Sequence, residues 1–291
     1  MINEFKKISV SECQDEIVIE MDRKNFFGAI PEVSFLGMTF YEFSLSELGL
    51  PSADTLLKQI INIKNQVGLR GWKYKNIESR TYQGFSLTYN PDFIGEEKSI
   101  YHQTWGSAQL PQNYGRINGL ASFDSKKNSY YDSYAFRKIP PIVKNNINPL
   151  LDRLSMSLLR SRVAWHFAYG RRKENIEAWH VDEFPYHILR VNIPLQTSEE
   201  HVIDIVGEDD FGNSLDIRNK HLDVGKAYIW NTRIPHCVSL NGLCKNPKPR
   251  IHVVLGLCPW FNYDEDDDSF VQNSLHGQDL DHIIRNKLFV N

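Results

Sequence analysis

The side chains of this chain best suited to metal chemistry are two histidines and an aspartate. His180 and Asp182 are separated by one residue, and His236 follows the aspartate by 54 residues. Alternate side chains on an extended segment point to the same side, so His180 and Asp182 share one face of a strand. Two imidazoles and one carboxylate on one face can hold Fe(II) and leave three coordination positions open for a co-substrate and dioxygen.

A second His-x-Asp pair, formed by His221 and Asp223, shows that this short motif is not specific by itself. The next histidine is His236, only 13 residues after Asp223, which leaves no room for the strands that must separate the two parts of a site. The first pair has that room. We therefore predict that His180, Asp182 and His236 are the metal ligands and the catalytic centre.

Arg250 adds a group that could bind an anion. It lies 14 residues after His236, on the polar side of the next predicted strand. A buried arginine needs an anionic partner, and its planar guanidinium pairs with a carboxylate through two parallel hydrogen bonds. A dicarboxylate such as 2-oxoglutarate suits this geometry, because its 2-oxo acid end would chelate the iron while its distal carboxylate meets Arg250.

The strands that carry these residues alternate between polar and apolar positions. Arg190 and Asn192 lie opposite four aliphatic residues on one predicted strand. Arg250 and His252 lie opposite a similar aliphatic row on another. This pattern fits an antiparallel sheet with one wet and one buried face, and equally a barrel with a polar, ligand-filled interior. His252 could contact the co-substrate or be a hydrogen-bonded core histidine.

The rest of the chain predicts the elements that position these strands. The spacing of apolar residues predicts an amphipathic helix over Ser52–Gln66 and a second over Pro140–Leu159, which Pro149 should kink or divide. Gly71–Tyr89 is rich in aromatic residues and predicts strands. Residues 106–133 show little periodicity and are predicted to be mostly loop.

From Ser161 onward the sequence predicts short strands separated by turns. The predicted strands are Val163–Tyr169, Ile176–Val181, His187–Leu195, Val202–Val206, Ser214–Arg218, Lys226–Asn231, His236–Leu240 and Arg250–Cys258. So many short strands in about a hundred residues predict a sandwich or a jelly roll. The acidic residues 264–268 predict a solvated turn before a last short helix near Leu280–Arg285.

Composition excludes several classes of protein. The 291 residues are 41% hydrophobic and 24% charged, which is ordinary for a globular protein and excludes disorder as a whole. No run approaches the apolar length of a membrane span, and a net charge of -3 gives no electrostatic footprint for nucleic acid. Four cysteines in so long a chain make no disulfide framework. We expect reduced thiols and, without the apolar segment of a secretory signal, a cytoplasmic protein.

The region from Arg162 to Tyr263 resembles the Fe(II)/2-oxoglutarate-dependent oxygenases, and within them the aspartyl/asparaginyl β-hydroxylase-like group, which includes free-proline hydroxylases. The resemblance is carried by WHVDEFPYHILRVNIPL, VGKAYIWNTRIPH and RIHVVLGLCPWF. It implies a mainly β, α+β fold, with a double-stranded β-helix (jelly-roll, cupin-like) core and N-terminal helices packed on its outer face. It implies one oxygenase domain, with a mixed N-terminal part to residue 160, the core over 161–262, and a C-terminal turn and helix over 263–291.

The resemblance also implies roles for individual residues. The predicted ligands match the iron ligands of the family, and Arg250 matches the partner of the distal carboxylate of 2-oxoglutarate. Arg190 and Asn192 occupy the place of an R-x-H pair that helps to hold the oxo acid in β-hydroxylases, with Asn192 in place of the histidine. The spacing from His236 to Arg250 is longer than usual because of the insertion LNGLCKNPKP.

The implied activity is hydroxylation of a C–H bond, coupled to decarboxylation of 2-oxoglutarate to succinate and carbon dioxide. Asp182 fills the position that halogenating relatives keep open for chloride, which favours hydroxylation. The predicted substrate is an amino-acid-like small molecule, with an Asp, Asn or Pro side chain in a peptide as the alternative. No nucleic-acid or membrane partner is expected. An alternative of another class is a cupin-like protein that binds a metal or small ligand without oxidation.

Overall fold

The computed structural model describes residues 7–9, 39–74, 77–91, 100–103, 134, 136–171, 179–180, 182, 185, 187–208 and 212–291. These residues form mainly antiparallel strands with few helices, as predicted. The strands are β1 (Lys7–Ser9), β2 (Tyr41–Ser44), β3 (Arg70–Tyr74), β4 (Ile77–Ser86), β5 (Arg162–His166), β6 (Leu189–Gln196), β7 (His201–Glu208), β8 (Ser214–His221), β9 (Lys226–Ile229), β10 (His236–Leu240), β11 (Arg250–Leu257), β12 (Phe261–Asp264) and β13 (Ser269–Gln272). The helices are α1 (Ala53–Val67), α2 (Pro141–Leu151) and α3 (Leu280–Arg285).

Two of the sheets position the candidate site. Within the described residues the larger sheet has the strand order β2-β9-β6-β11-β5-β4-β3, and a smaller sheet has the order β10-β7-β8. A separate sheet joins β1, β13 and β12. Every pairing between these strands is antiparallel.

Strand β11 lies at the centre of the larger sheet and sets the rows of side chains across it. Arg250 is opposite His166 on β5, and Val254 is opposite both Arg162 on β5 and Asn192 on β6. Side chains in one row point to the same face of the sheet. The register therefore places polar residues of β5, β6 and β11 on the same face of the sheet. They form two rows, at Arg250 and at Val254, which are four residues apart along β11.

The opposite face of this sheet is apolar and packs against the helices. Leu56, Ile60 and Ile63 of α1 are fully buried in the same core as Val191 and Val253 of the sheet. Burial of each such side chain stabilises the fold by about 1.5–3 kcal/mol. Residues of α1 and α2 share this core with the apolar side of the strands.

Both ends of α1 are set by local chemistry. Ser52 caps the first turn, where its hydroxyl oxygen accepts a hydrogen bond of 3.3 Å from the backbone N–H of Thr55. Gly68 ends the helix with a φ of 78°, a conformation that residues with a Cβ rarely adopt. None of the helices that the structure describes is long and apolar enough to cross a bilayer.

The second predicted helix is shorter than expected. A kink occurs at Ile147, two residues before Pro149, but the helix ends at Leu151 rather than at Leu159. The prediction was wrong there because Leu158 pairs with Leu257, which draws the segment into extended contact with β11. The strand predicted over Ile176–Val181 lies largely outside the described residues, and the loop predicted over 106–133 lies wholly outside them.

The acidic turn near the C-terminus is more than a solvated loop. It connects β12 and β13, which form a hairpin that the sequence prediction missed. Asp268 in this turn accepts hydrogen bonds of 2.7 and 2.8 Å from the buried guanidinium of Arg137. Helix α3 has the predicted bounds, and the Asp279 carboxylate caps it by accepting from the N–H of His282.

Candidate metal and anion site

The polar face of the larger sheet borders a cavity that opens to solvent. Strands β4, β5, β6 and β11 of the larger sheet line one side of this cavity, and β7 and β10 of the smaller sheet line the other. His180 and Asp182, from the segment between β5 and β6, complete the lining together with Trp230. The cavity therefore lies between two facing sheets and is lined by side chains of both.

The structure brings the three predicted ligands together. One ligand atom from each of His180, Asp182 and His236 lies within 4.8 Å of the others. The Nε2 atom of His236 is 3.9 Å from Oδ2 of Asp182, and the two imidazole rings have centroids 4.4 Å apart. Residues more than fifty positions apart in the chain thus form one compact cluster.

Backbone pairing explains why the cluster forms. His180 and His236 form an antiparallel bridge, with N–H to carbonyl distances of 3.0 and 2.9 Å. The N–H of Asp182 donates to the carbonyl of Thr232 at 2.9 Å. Because these hydrogen bonds fix both backbones, the two histidine rings lie next to each other, tilted by 55°, and the carboxylate lies near them.

A hydrogen bond also fixes which nitrogen of His236 could bind a metal. Its Nδ1 lies 2.9 Å from the carbonyl oxygen of Ile234. A carbonyl only accepts, so Nδ1 carries the proton and Nε2 presents its lone pair toward Asp182. This is the tautomer that a metal-binding histidine requires.

The donor set fits a transition metal of the Fe(II) type. Two donors bound to one ion at about 2.1 Å lie about 3 Å apart when adjacent and about 4 Å apart when opposite. The cluster is slightly wider than that, so small side-chain movements bring all three donors to one ion. Two neutral nitrogens and a hard oxygen are the ligands of the facial triad.

The charges around Asp182 keep its carboxylate ionised. Burial by itself would raise the pKa of the Asp182 carboxyl, but neighbouring positive groups outweigh burial and hold that pKa well below its usual range. These groups are His180, Arg190, Arg162 and His236. The carboxylate is therefore available as a ligand at neutral pH.

The competing pair, His221 and Asp223, lies at the protein surface. Nε2 of His221 is 3.9 Å from Oδ1 of Asp223, and both side chains are partly exposed. Asp223 also accepts a hydrogen bond of 2.9 Å from Nζ of Lys226. No third ligand is found near this pair among the described residues.

Arg250 lies in the wall of the same cavity and is only 6% exposed. Its Nη2 donates to Nδ1 of His252 at 2.9 Å, so the proton of the imidazole is on Nε2. That Nε2 has no hydrogen-bond partner among the residues that the structure describes. Burial, followed by the charge of Arg250, holds the pKa of His252 well below its usual value. His252 is thus both hydrogen-bonded to Arg250 and part of the cavity lining.

Two further histidines near Arg250 were missed by sequence reasoning. His166 lies opposite Arg250 and stacks on Tyr82 with ring centroids 4.1 Å apart. Burial and the Arg250 charge lower the pKa of His166, and they lower the pKa of His201 on β7 to about 4. Both rings are neutral at pH 7, so they do not add charge at this end of the cavity.

Arg190 and Asn192 of β6 also line the cavity. The Nη1 of Arg190 donates to the backbone carbonyl of Arg160 at 2.8 Å, so part of this guanidinium stabilises the backbone. Its charge also acts on Asp182. Arg162 of β5 is a cavity residue that sequence reasoning missed, although the alternation of Arg162, Ala164 and His166 along the strand was a usable signal.

Comparisons with known proteins add little beyond this geometry. No family model matches the chain, and no curated protein matches it in sequence. A Pseudomonas putida prolyl-4-hydroxylase is 10% identical with a TM-score of 0.33, over 85% of this chain and 98% of that one. A prolyl hydroxylase from Trichoplax adhaerens, in complex with a hypoxia inducible factor peptide, is 12% identical with a TM-score of 0.33, over 89% and 94%.

AviO1 from Streptomyces viridochromogenes Tue57 is 11% identical to this chain with a TM-score of 0.31, over 78% of this chain and 92% of that one. At these TM-scores and identities the functional inference has to come from the cavity residues themselves.

Proposed function

We propose that the chain is a non-haem Fe(II)- and 2-oxoglutarate-dependent dioxygenase. It hydroxylates a C–H bond of an amino-acid-like small molecule or of an amino-acid side chain, and decarboxylates 2-oxoglutarate to succinate and carbon dioxide. One observation carries this proposal: the same cavity is lined by the His180, Asp182 and His236 cluster and by Arg250.

The two features occupy different ends of the cavity. Arg250 and Val254 are four residues apart on β11, which is roughly 13 Å along a strand. Arg162, opposite Val254, acts electrostatically on Asp182, whereas Arg250 acts on His166 and His201. The side chain of Arg250 covers part of this span. A five-carbon dicarboxylate with one end at the metal cluster is long enough to cover the rest.

Each residue has a distinct task in this proposal. Fe(II), when bound, supplies the activation of dioxygen and the oxidative chemistry. The three ligands hold the ion on one side, and the bond from His236 to the Ile234 carbonyl fixes the ring that must not rotate. Arg250 orients the oxo acid by pairing with its distal carboxylate. Ile203 and Val238 form an apolar part of the wall, which limits the water near the reacting groups.

The fold proposed with this function is a double-stranded β-helix. Two facing antiparallel sheets with a polar cavity between them support it, as does the covering of the larger sheet by α1 and α2 on its outer side. We further propose a single oxygenase domain, with the core over residues 161–262, acting in the cytoplasm on a small-molecule substrate without nucleic-acid or membrane partners.

The direct test is addition of Fe(II) and 2-oxoglutarate to the purified protein without oxygen. Chelation of one ion by the oxo acid should give a weak visible charge-transfer band, and admission of oxygen should release succinate. His180→Ala and Asp182→Ala should abolish both signals. Metal binding without any dependence on 2-oxoglutarate would instead identify a non-oxidative cupin-like protein.

The chain supplies its own matched control for this test. His221→Ala and Asp223→Ala remove the same residue types from an identical short motif on the surface. These two variants should keep the band and the succinate release of the wild type. If they lose as much as the cavity variants, or if the cavity variants lose nothing, the ligand assignment is wrong.

A further inference from the structure

The described side chains that line the cavity carry an excess of positive charge. Arg162, Arg190 and Arg250 are guanidinium groups, and Asp182 is the only acidic residue among the described lining residues. Three guanidinium groups against one carboxylate leave two positive charges, and a ferrous ion raises this excess to four. The dianion of 2-oxoglutarate removes two of these. The described part of the lining therefore favours a second anion in addition to the oxo acid.

Arg162 has two buried donor atoms that no described residue satisfies. Its side chain is only 7% exposed, and its Nε and Nη1 atoms have no hydrogen-bond partner among the described residues. Arg190 differs because it donates to the Arg160 carbonyl, and Arg250 differs because it donates to His252. Buried donors without an acceptor are costly for a fold, and a bound anion that accepts from Nε and Nη1 removes that cost.

The position of Arg162 separates it from the proposed oxo-acid site. It lies in the row of Val254 and Asn192, four residues along the sheet from the row of Arg250. Its charge acts on the carboxylate of Asp182. An anion held by Arg162 therefore lies beside the metal cluster, where a substrate must be bound to react.

We propose that Arg162 binds a carboxylate of the substrate, so that the substrate is a small molecule with a free carboxylate close to the C–H bond that is oxidised. Only the identification of the bound anion as the substrate rests on the proposed function. The anion site itself follows from the burial of Arg162 and from its two unsatisfied donor atoms.

One experiment tests the anion site without iron or oxo acid. The Arg250→Met substitution removes the guanidinium at the opposite end of the cavity. Trifluoroacetate is titrated into this variant, with neutral trifluoroacetamide as the control probe, and binding is followed by ¹⁹F NMR. We expect binding of the anion only, and at least a tenfold weaker affinity in the double variant Arg162→Met/Arg250→Met. Equal affinity in both proteins would overturn the proposal, even if the proposed function were correct.

A second experiment distinguishes a substrate carboxylate from a carboxylate of the oxo acid. In the Fe(II)-loaded protein, Arg162→Met should leave the Kd of 2-oxoglutarate within about threefold of the wild type. A rise of tenfold or more would place Arg162 in the oxo-acid site and refute the assignment.

Paired amino acids and their carboxamides then test the substrate class. Only the free acids should stimulate consumption of 2-oxoglutarate, and Arg162→Met should raise their KM at least tenfold, with Arg162→Lys recovering part of the loss. Equal stimulation by the amides would contradict the proposal. Thermal melting of each variant checks folding.

Discussion

Replacement of Arg250 by Met tests the co-substrate end of the cavity most sharply. The substitution keeps an unbranched apolar side chain in the wall but removes the guanidinium that we assign to the distal carboxylate. Arg250 is 6% exposed, so bulk water cannot substitute for the lost hydrogen bonds. Removal of one member of a buried, hydrogen-bonded charge pair costs about 2–5 kcal/mol. The Kd of 2-oxoglutarate should therefore rise by about 30-fold to several thousandfold.

The assay is an anaerobic titration of the Fe(II)-loaded protein with 2-oxoglutarate, followed by the visible charge-transfer band. Arg218→Met is the matched control, because Arg218 is an exposed arginine of β8 outside the cavity lining, paired with Asp216 at 3.1 Å. This control should leave the Kd unchanged. A Kd for Arg250→Met within about threefold of the wild type would refute the role of Arg250, since an arginine with a purely structural role changes the free energy of unfolding and not the affinity for the oxo acid.

Three further predictions concern stability. Arg137→Met should lower the free energy of unfolding in urea by about 1–3 kcal/mol, because it breaks the pair with the partly exposed Asp268. The hydrogen bonds from Arg137 and Tyr263 lower the pKa of Asp268 to about 2. The stabilisation should therefore be present above about pH 4 and disappear as pH falls toward 2. A free energy of unfolding that stays constant over this pH range would contradict the prediction. Burial lowers the pKa of His201 to about 4, so the free energy of unfolding should fall as pH falls from about 6.5 to 4, and His201→Gln should make that slope less steep. Gly256→Ala should lower the free energy of unfolding by about 3 kcal/mol or more, measured by denaturation. The added Cβ would overlap the backbone carbonyl oxygen of Leu159.

Local patterns in the sequence predicted several elements closely. The 3.6-residue spacing and the Ser52 cap gave the extent of α1 to within a residue or two, and period-two alternation gave β6 and β11 with the correct polar residues. These features depend on neighbours within one element, so the sequence contains the information that decides them.

Features that depend on long-range pairing could not be read in the same way. The second helix ends early because Leu158 pairs with Leu257, and the C-terminal hairpin forms because Phe270 and Phe261 are buried in the core. Arg162 alternates with apolar residues as Arg190 does, but only the pairing of β5 with β11 places it in the cavity.

The sequence by itself determined which residue types could bind iron and a dicarboxylate, and that they lie on alternating strands. Only the tertiary structure decided that His180 pairs with His236, that the other His-x-Asp motif stays on the surface, and that a third buried arginine, Arg162, lines the same cavity. The physical reason is that alternation fixes the side of a strand on which a residue lies, whereas strand order and register fix what that side meets.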